Sequence, residues 1–255
     1  MPGPLNAADF TTAYCAGDGL TLRYYRWGPA AGERSRAPII LLHGVTDSAL
    51  SWQTVAEALA HERPVIALDA RGHGGSDWSA EEAYAPDQHF ADLATALDAL
   101  ALEEATLVGF SMGGAVATIC AAARPDRVAR LVIVDAYPAP DLSPGSRRIA
   151  QAIAALYEAG GGFLTGGFDP AIARWLRDDL VADAARRLDL WPLWEALAVP
   201  TLVVRGGQSD VLTAAMAAEM IARQPRARLL TLPGVGHQIP AQRPHDLARA
   251  ILSHA

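Results

Sequence analysis

The chain has 255 residues, 51% of them apolar and 19% charged, with a formal net charge of -7. This length suits one large α/β domain or two small ones, with enough apolar material for a sizeable core. Its arginines are scattered, as at Arg147-Arg148, Arg174 and Arg186-Arg187. An acidic chain of this kind gains little from phosphate contacts, which argues against nucleic acid or anionic membranes as partners.

No stretch approaches the roughly 18 uncharged apolar residues of a membrane span. The start, Met1-Pro2-Gly3-Pro4-Leu5, has neither the basic residues nor the apolar run of a signal peptide. Cys15 and Cys120 form no CxxC pair and read as two free, reduced thiols of a cytoplasmic protein. No cofactor or metal ion is expected, and the oligomeric state is left open.

In chain order, Ala13 to Cys15 and Thr21 to Tyr25 flank Gly17-Asp18-Gly19 and read as an antiparallel hairpin. Short apolar runs follow at Pro38 to Leu42, Val65 to Leu68, Ala105 to Val108, Leu131 to Val134, Thr201 to Val204 and Arg228 to Leu232. Runs of this kind suit strands buried on both faces. Trp52 to Ala60, Phe90 to Leu100, Gly113 to Ala123, Ala214 to Arg223 and Asp246 to Leu252 carry apolar residues at helical spacing. The alternation predicts a mostly parallel sheet with helices on both faces.

One connection is too long for an ordinary crossover. Residues 137–198 are helical in pattern but broken by Pro138, Pro140, Pro144, Gly160 to Gly162 and Gly166-Gly167. We read this stretch as a small helical cap on a core made of 1–136 and 199–255. Trp175, Trp191 and the elbow residue Phe110 are candidates for touching substrate. Trp191 and Trp194 also suit simple packing of the cap on the core.

Gly109-Phe110-Ser111-Met112-Gly113 follows a strand and opens a helix, the setting of a nucleophile elbow. Glycines two before and two after the serine permit the tight turn, and the helix start directs positive charge at the serine oxygen. A serine hydroxyl needs a general base. Of seven histidines, His237 lies in the loop after the last strand, where an open α/β sheet places its site. The histidine needs a carboxylate to orient it. Asp210, after the penultimate strand, is preferred, with Asp135 at the end of Leu131 to Val134 as its rival. Backbone N–H groups of Met112 and Val45 are the expected oxyanion donors. His43 reads as shaping the second of these loops, and Asp69 to Ser76 as a tight turn held by local hydrogen bonds.

These segments together closely resemble the α/β-hydrolase fold family: Leu41-Leu42-His43-Gly44, Asp69 to Ser76, Gly109 to Gly114, Gly206 to Asp210 and Gly236-His237 occur in the family's order. The resemblance implies an eight-stranded sheet, a cap inserted after the sixth strand, and acyl-enzyme chemistry on esters, lactones or related carbonyls. Haloalkane dehalogenases and epoxide hydrolases of this fold use an aspartate where Ser111 stands. Carbon–carbon bond hydrolases usually carry a Ser-Gly-Pro-Gly type loop where Val45-Thr46-Asp47-Ser48 stands, and perhydrolases or haloperoxidases often a proline there. The expected function is therefore a serine hydrolase cleaving a small to medium, mostly neutral ester or lactone with water. A perhydrolase or carbon–carbon hydrolase with the same triad, or a ligand receptor on the same scaffold, is the alternative.

Overall fold

The computed structural model describes residues 10–28, 37–139, 143–158, 167–181 and 187–255. Parts of the anticipated core and cap, including 140–142, 159–166 and 182–186, lie outside the described residues.

Eight strands form a single sheet in the order β1-β2-β4-β3-β5-β6-β7-β8. They are β1 (Phe10–Ala16), β2 (Thr21–Trp27), β3 (Ile39–Leu42), β4 (Val65–Leu68), β5 (Ala105–Phe110), β6 (Val128–Val134), β7 (Thr201–Gly206) and β8 (Ala227–Leu232). β1 and β2 pair antiparallel, as do β2 and β4, and the remaining pairs are parallel. The hairpin thus extends beyond its predicted ends.

The central strands are buried on both faces because both faces are covered. Ile40, Leu42 and Leu107 point into one apolar layer with α2 (Pro86–Ala99), α3 (Met112–Ala123) and α7 (Ala214–Arg223). Ile39, Leu41 and Val108 point into the other, with α1 (Gln53–Ala60) and α8 (Pro244–His254). This period-two partition is the reason a continuous apolar run, rather than an alternating one, encodes these strands. Leu41 is wholly buried, so truncation to alanine there costs about 2–5 kcal/mol.

Between β6 and β7 the chain holds α4 (Pro144–Glu158) and α5 (Pro170–Val181), which pack on one another, and then α6 (Trp191–Ala196). The last of these belongs to the core packing. Trp194 is wholly buried and its indole Nε1 donates to the Met220 carbonyl at 2.9 Å. Trp191 is buried in the same layer, edge-on to Tyr137 and beneath the Arg223 guanidinium. The polar tip of Trp194 thus finds a partner, as a buried amphipathic aromatic requires.

Candidate active site

The elbow forms where β5 meets α3. Ser111 takes φ 52° and ψ -116°, a conformation that costs a non-glycine residue about 1–3 kcal/mol. Two glycines make it possible. A Cβ on Gly109 would lie 2.2 Å from the Gly113 oxygen, and one on Gly113 would lie 2.4 Å from the Leu42 oxygen. The turn is pinned on both sides: Ser111 N–H donates to the Val134 carbonyl at 3.0 Å, and Gly113 N–H to the His43 carbonyl at 3.2 Å.

The next residue after Val134 is Asp135, also at positive φ (50°) and wholly buried. Its carboxylate is the meeting point of three donors. Gly206 N–H donates to Oδ1 at 3.0 Å, Ser209 Oγ–H to Oδ2 at 2.5 Å, and His237 Nδ1–H to the same Oδ2 at 2.8 Å. His237 is partly buried, its ring 4.7 Å from that of Phe110. A neutral imidazole that donates from Nδ1 keeps Nε2 as an acceptor, the form required of a general base.

Sequence position favours Asp210 as the partner of His237, but the structure places another carboxylate against the ring. His237 meets Asp135, not Asp210. The Asp210 side chain is 46% exposed and forms an ion pair with Arg148 on α4 at 2.5 Å. That guanidinium holds the Asp210 carboxyl below the usual carboxylate range. Its backbone carbonyl also accepts from Gly145 N–H at 3.1 Å. Asp210 therefore ties the inserted helix α4 to the end of β7. The neighbouring Ser209 turns inward instead and reaches the buried carboxylate. Chain order was the available signal, but Ser111, Asp135, His237 satisfies a serine–acid–histidine order as well as Ser111, Asp210, His237 does.

The loop after β3 lies against the elbow. A Cβ on Gly44 would be 3.0 Å from the Phe110 ring and 3.4 Å from the Ser111 Cβ. Val45 is half-buried and packs against a small buried cluster of Tyr84, Ala171 and Ile172, on which Phe168, Trp175 and Leu176 also pack, so the cluster joins this loop to α5. Of the anticipated substrate-touching residues, Trp175 thus shares a packing cluster with Val45. Phe110 is buried in the layer below the sheet and supports His237, and Trp191 is accounted for by the core.

Behind the loop stand three buried histidines. His43 and His73 rings are 4.9 Å apart, and His73 and His89 rings 6.3 Å. Burial pushes the His43 imidazole below its ordinary range and His73 well below it; burial, with Arg71 adding to it, lowers His89 to about 3. Burial thus favours the neutral form of all three. Beside them Arg71 and Asp92 form a buried bidentate pair at 2.6 and 2.8 Å. Among the described residues no group of three or more His, Cys, Asp or Glu side chains could hold a metal ion, and no helix is long and apolar enough to cross a membrane.

Residues 39–250 match the model of the alpha/beta hydrolase family. The chain belongs to this family of hydrolases. It is 29% identical over 258 residues to a 3-hydroxybutyrate-oligomer hydrolase of Cupriavidus necator, covering 85% of this chain and 86% of that protein. It is 30% identical over 254 residues to an sn-1-specific diacylglycerol lipase of Mus musculus, covering 87% and 82%. Among solved structures, an alpha/beta hydrolase from Novosphingobium aromaticivorans superposes with a TM-score of 0.79 at 27% identity, over 97% of this chain and 99% of that one.

Proposed function

We propose that this chain is a serine hydrolase that cleaves a neutral carboxylic ester or lactone through an acyl-enzyme. Ser111 is the nucleophile, His237 the general base and acid, and Asp135 the carboxylate that orients it. The observation that carries the reading is the Asp135 Oδ2–His237 Nδ1 contact of 2.8 Å beside a serine held at positive φ.

In the acylation step His237 Nε2 takes the Ser111 hydroxyl proton as Oγ attacks the substrate carbonyl carbon. The negative charge on the carbonyl oxygen is met by the N–H groups of Met112 and Val45. Each such donor contributes about 2.7–4 kcal/mol to the transition state. The C–O bond to the alcohol then breaks, and His237 returns the proton to the departing oxygen. Water deacylates the serine by the same route in reverse. Asp135 remains ionised throughout and stabilises the imidazolium.

A neutral substrate is supported by the apolar cluster of Val45, Phe168, Trp175 and Leu176 beside the oxyanion loop. The two curated relatives above carry names of enzymes acting on a hydroxybutyrate oligomer and on diacylglycerol. The helices α4 and α5 act as a cap in this reading. The test is turnover of p-nitrophenyl acetate and butyrate by the wild type and by Ser111→Ala. Burst and turnover in the wild type alone support the assignment. Equal rates in the two proteins overturn it.

A further inference from the structure

The Asp69 to Ser76 turn carries more than local hydrogen bonds. Its central residue, His73, is wholly buried and makes contacts in three directions. Nδ1–H donates to the Arg71 carbonyl at 2.8 Å, which fixes the tautomer and leaves Nε2 as an acceptor. Nε2 accepts the Thr46 N–H at 3.3 Å. The His73 backbone pairs with Phe168 in an antiparallel bridge, flanked by Gly74 N–H to Gly167 O at 2.8 Å and Asp169 N–H to Gly72 O at 2.7 Å. Phe168 leads directly into α5.

Thr46 is the residue after Val45 and has φ 62°, a conformation a β-branched residue adopts only under constraint. The preceding peptide is held from the other side. His43 Nδ1–H donates to the Gly44 carbonyl at 2.7 Å. In a trans peptide that carbonyl and the Val45 N–H point in opposite directions. Two histidines therefore fix the Val45 N–H: one holds the peptide that bears it, and the other holds the strained residue that follows.

We propose that His73 is a positioning residue for the oxyanion loop, coupling the seating of α5 to the direction of the Val45 N–H through its Nε2–Thr46 hydrogen bond. This rests on the hydrolase reading above. The device requires a neutral His73 ring, since a protonated Nε2 would oppose the Thr46 N–H. Among the groups packed around it, His43 and His89 are neutral and Arg71 is engaged by Asp92. Burial then keeps the ring unprotonated.

The test compares His73→Asn with His73→Gln on p-nitrophenyl butyrate. Asparagine places its amide near Nδ1 and loses the Thr46 acceptor, whereas glutamine carries an oxygen near Nε2 and keeps it. We expect His73→Asn to lower kcat by about 100-fold, the loss typical of a misplaced catalytic group. KM should stay within about twofold, and a trifluoromethyl ketone should bind more weakly in proportion to kcat/KM. His73→Gln should stay within about threefold of wild type. Equal losses in both variants that follow their thermal stabilities would overturn the proposal, as would full kcat in His73→Asn. Independently of any variant, the Thr46 amide nitrogen and His73 Nε2 in the wild type should show scalar coupling across the hydrogen bond by NMR. Its absence would overturn the proposal even if His73→Asn fails to fold. Failure of the hydrolase reading is distinguishable, because the wild type would then neither turn over nor label with a fluorophosphonate at Ser111.

Discussion

Ser209 and His237 donate to the same oxygen of Asp135, at 2.5 and 2.8 Å. The carboxylate is wholly buried, so its charge is offset by these donors and Gly206 N–H rather than by water. Replacing it with an amide leaves the shape but presents the wrong hydrogen-bonding partner to Nδ1. Asp135→Asn should lower kcat by about 10⁴-fold, the loss expected when the orienting carboxylate is neutralised. Asp210→Asn, which changes an exposed ion pair, should stay within about threefold. Steady-state kinetics of the two variants side by side decide between the carboxylates; the reverse pattern would assign the orienting role to Asp210.

Ser209 is expected to act through Asp135. Ser209→Ala removes one of two donors on Oδ2, and a hydrogen bond to a charged group is worth about 1.5–3 kcal/mol. A tenfold or greater fall in kcat should follow, with Ser209→Thr recovering most of it because the hydroxyl is kept. Equal defects in both variants would point to packing of the β7 loop alone.

The Arg71–Asp92 pair is a stability element. The two side chains are 5% and 4% exposed. Asp92→Ala would leave the guanidinium buried without a counter-charge and should destabilise the fold by about 3–5 kcal/mol. A double change to Arg71→Met and Asp92→Leu should recover much of that loss. Urea denaturation of the three proteins measures it.

Acid should weaken the fold before the carboxylates titrate. His43, His73 and His89 are neutral in the native state, whereas unfolded histidine takes a proton near about pH 6.5. Below that pH the unfolded chain binds more protons, so stability falls as pH drops; above it the three contribute no slope. The limiting slope is about 1.4 kcal/mol per pH unit for each histidine. Denaturation midpoints should be level from about pH 7 upward and decline between about 6.5 and 5. His89→Phe should reduce that decline. A flat profile across this range would show that none of the three rings is held neutral by the fold.

Much of this was legible in the sequence. The strands announced themselves because burial on both faces demands uninterrupted apolar runs. The elbow was readable because only glycine fits where Gly109 and Gly113 approach backbone. The His237 partner was less accessible to sequence reasoning. Asp135 and Asp210 both end or follow strands, and their difference lies in where a loop turns. Ser209 faces in and Asp210 faces Arg148 on an inserted helix whose position no spacing rule encodes. Trp191 and Trp175 likewise share a residue type and a helical context. The separation of one into the core and the other onto the cluster that Val45 shares depends on helix packing across a sequence gap.

On the proposed mechanism, the elbow sets catalysis against thermostability. Ser111 is held at a backbone angle that an L-residue resists, and the surrounding fold absorbs that cost for as long as a side chain is needed there. Glycine accepts the same angle without strain, though it loosens the unfolded chain. Ser111→Gly should accordingly melt at or above the temperature of the native enzyme while losing its turnover. A variant selected for heat resistance alone would drift toward glycine at this position, since folding by itself makes no demand for serine there.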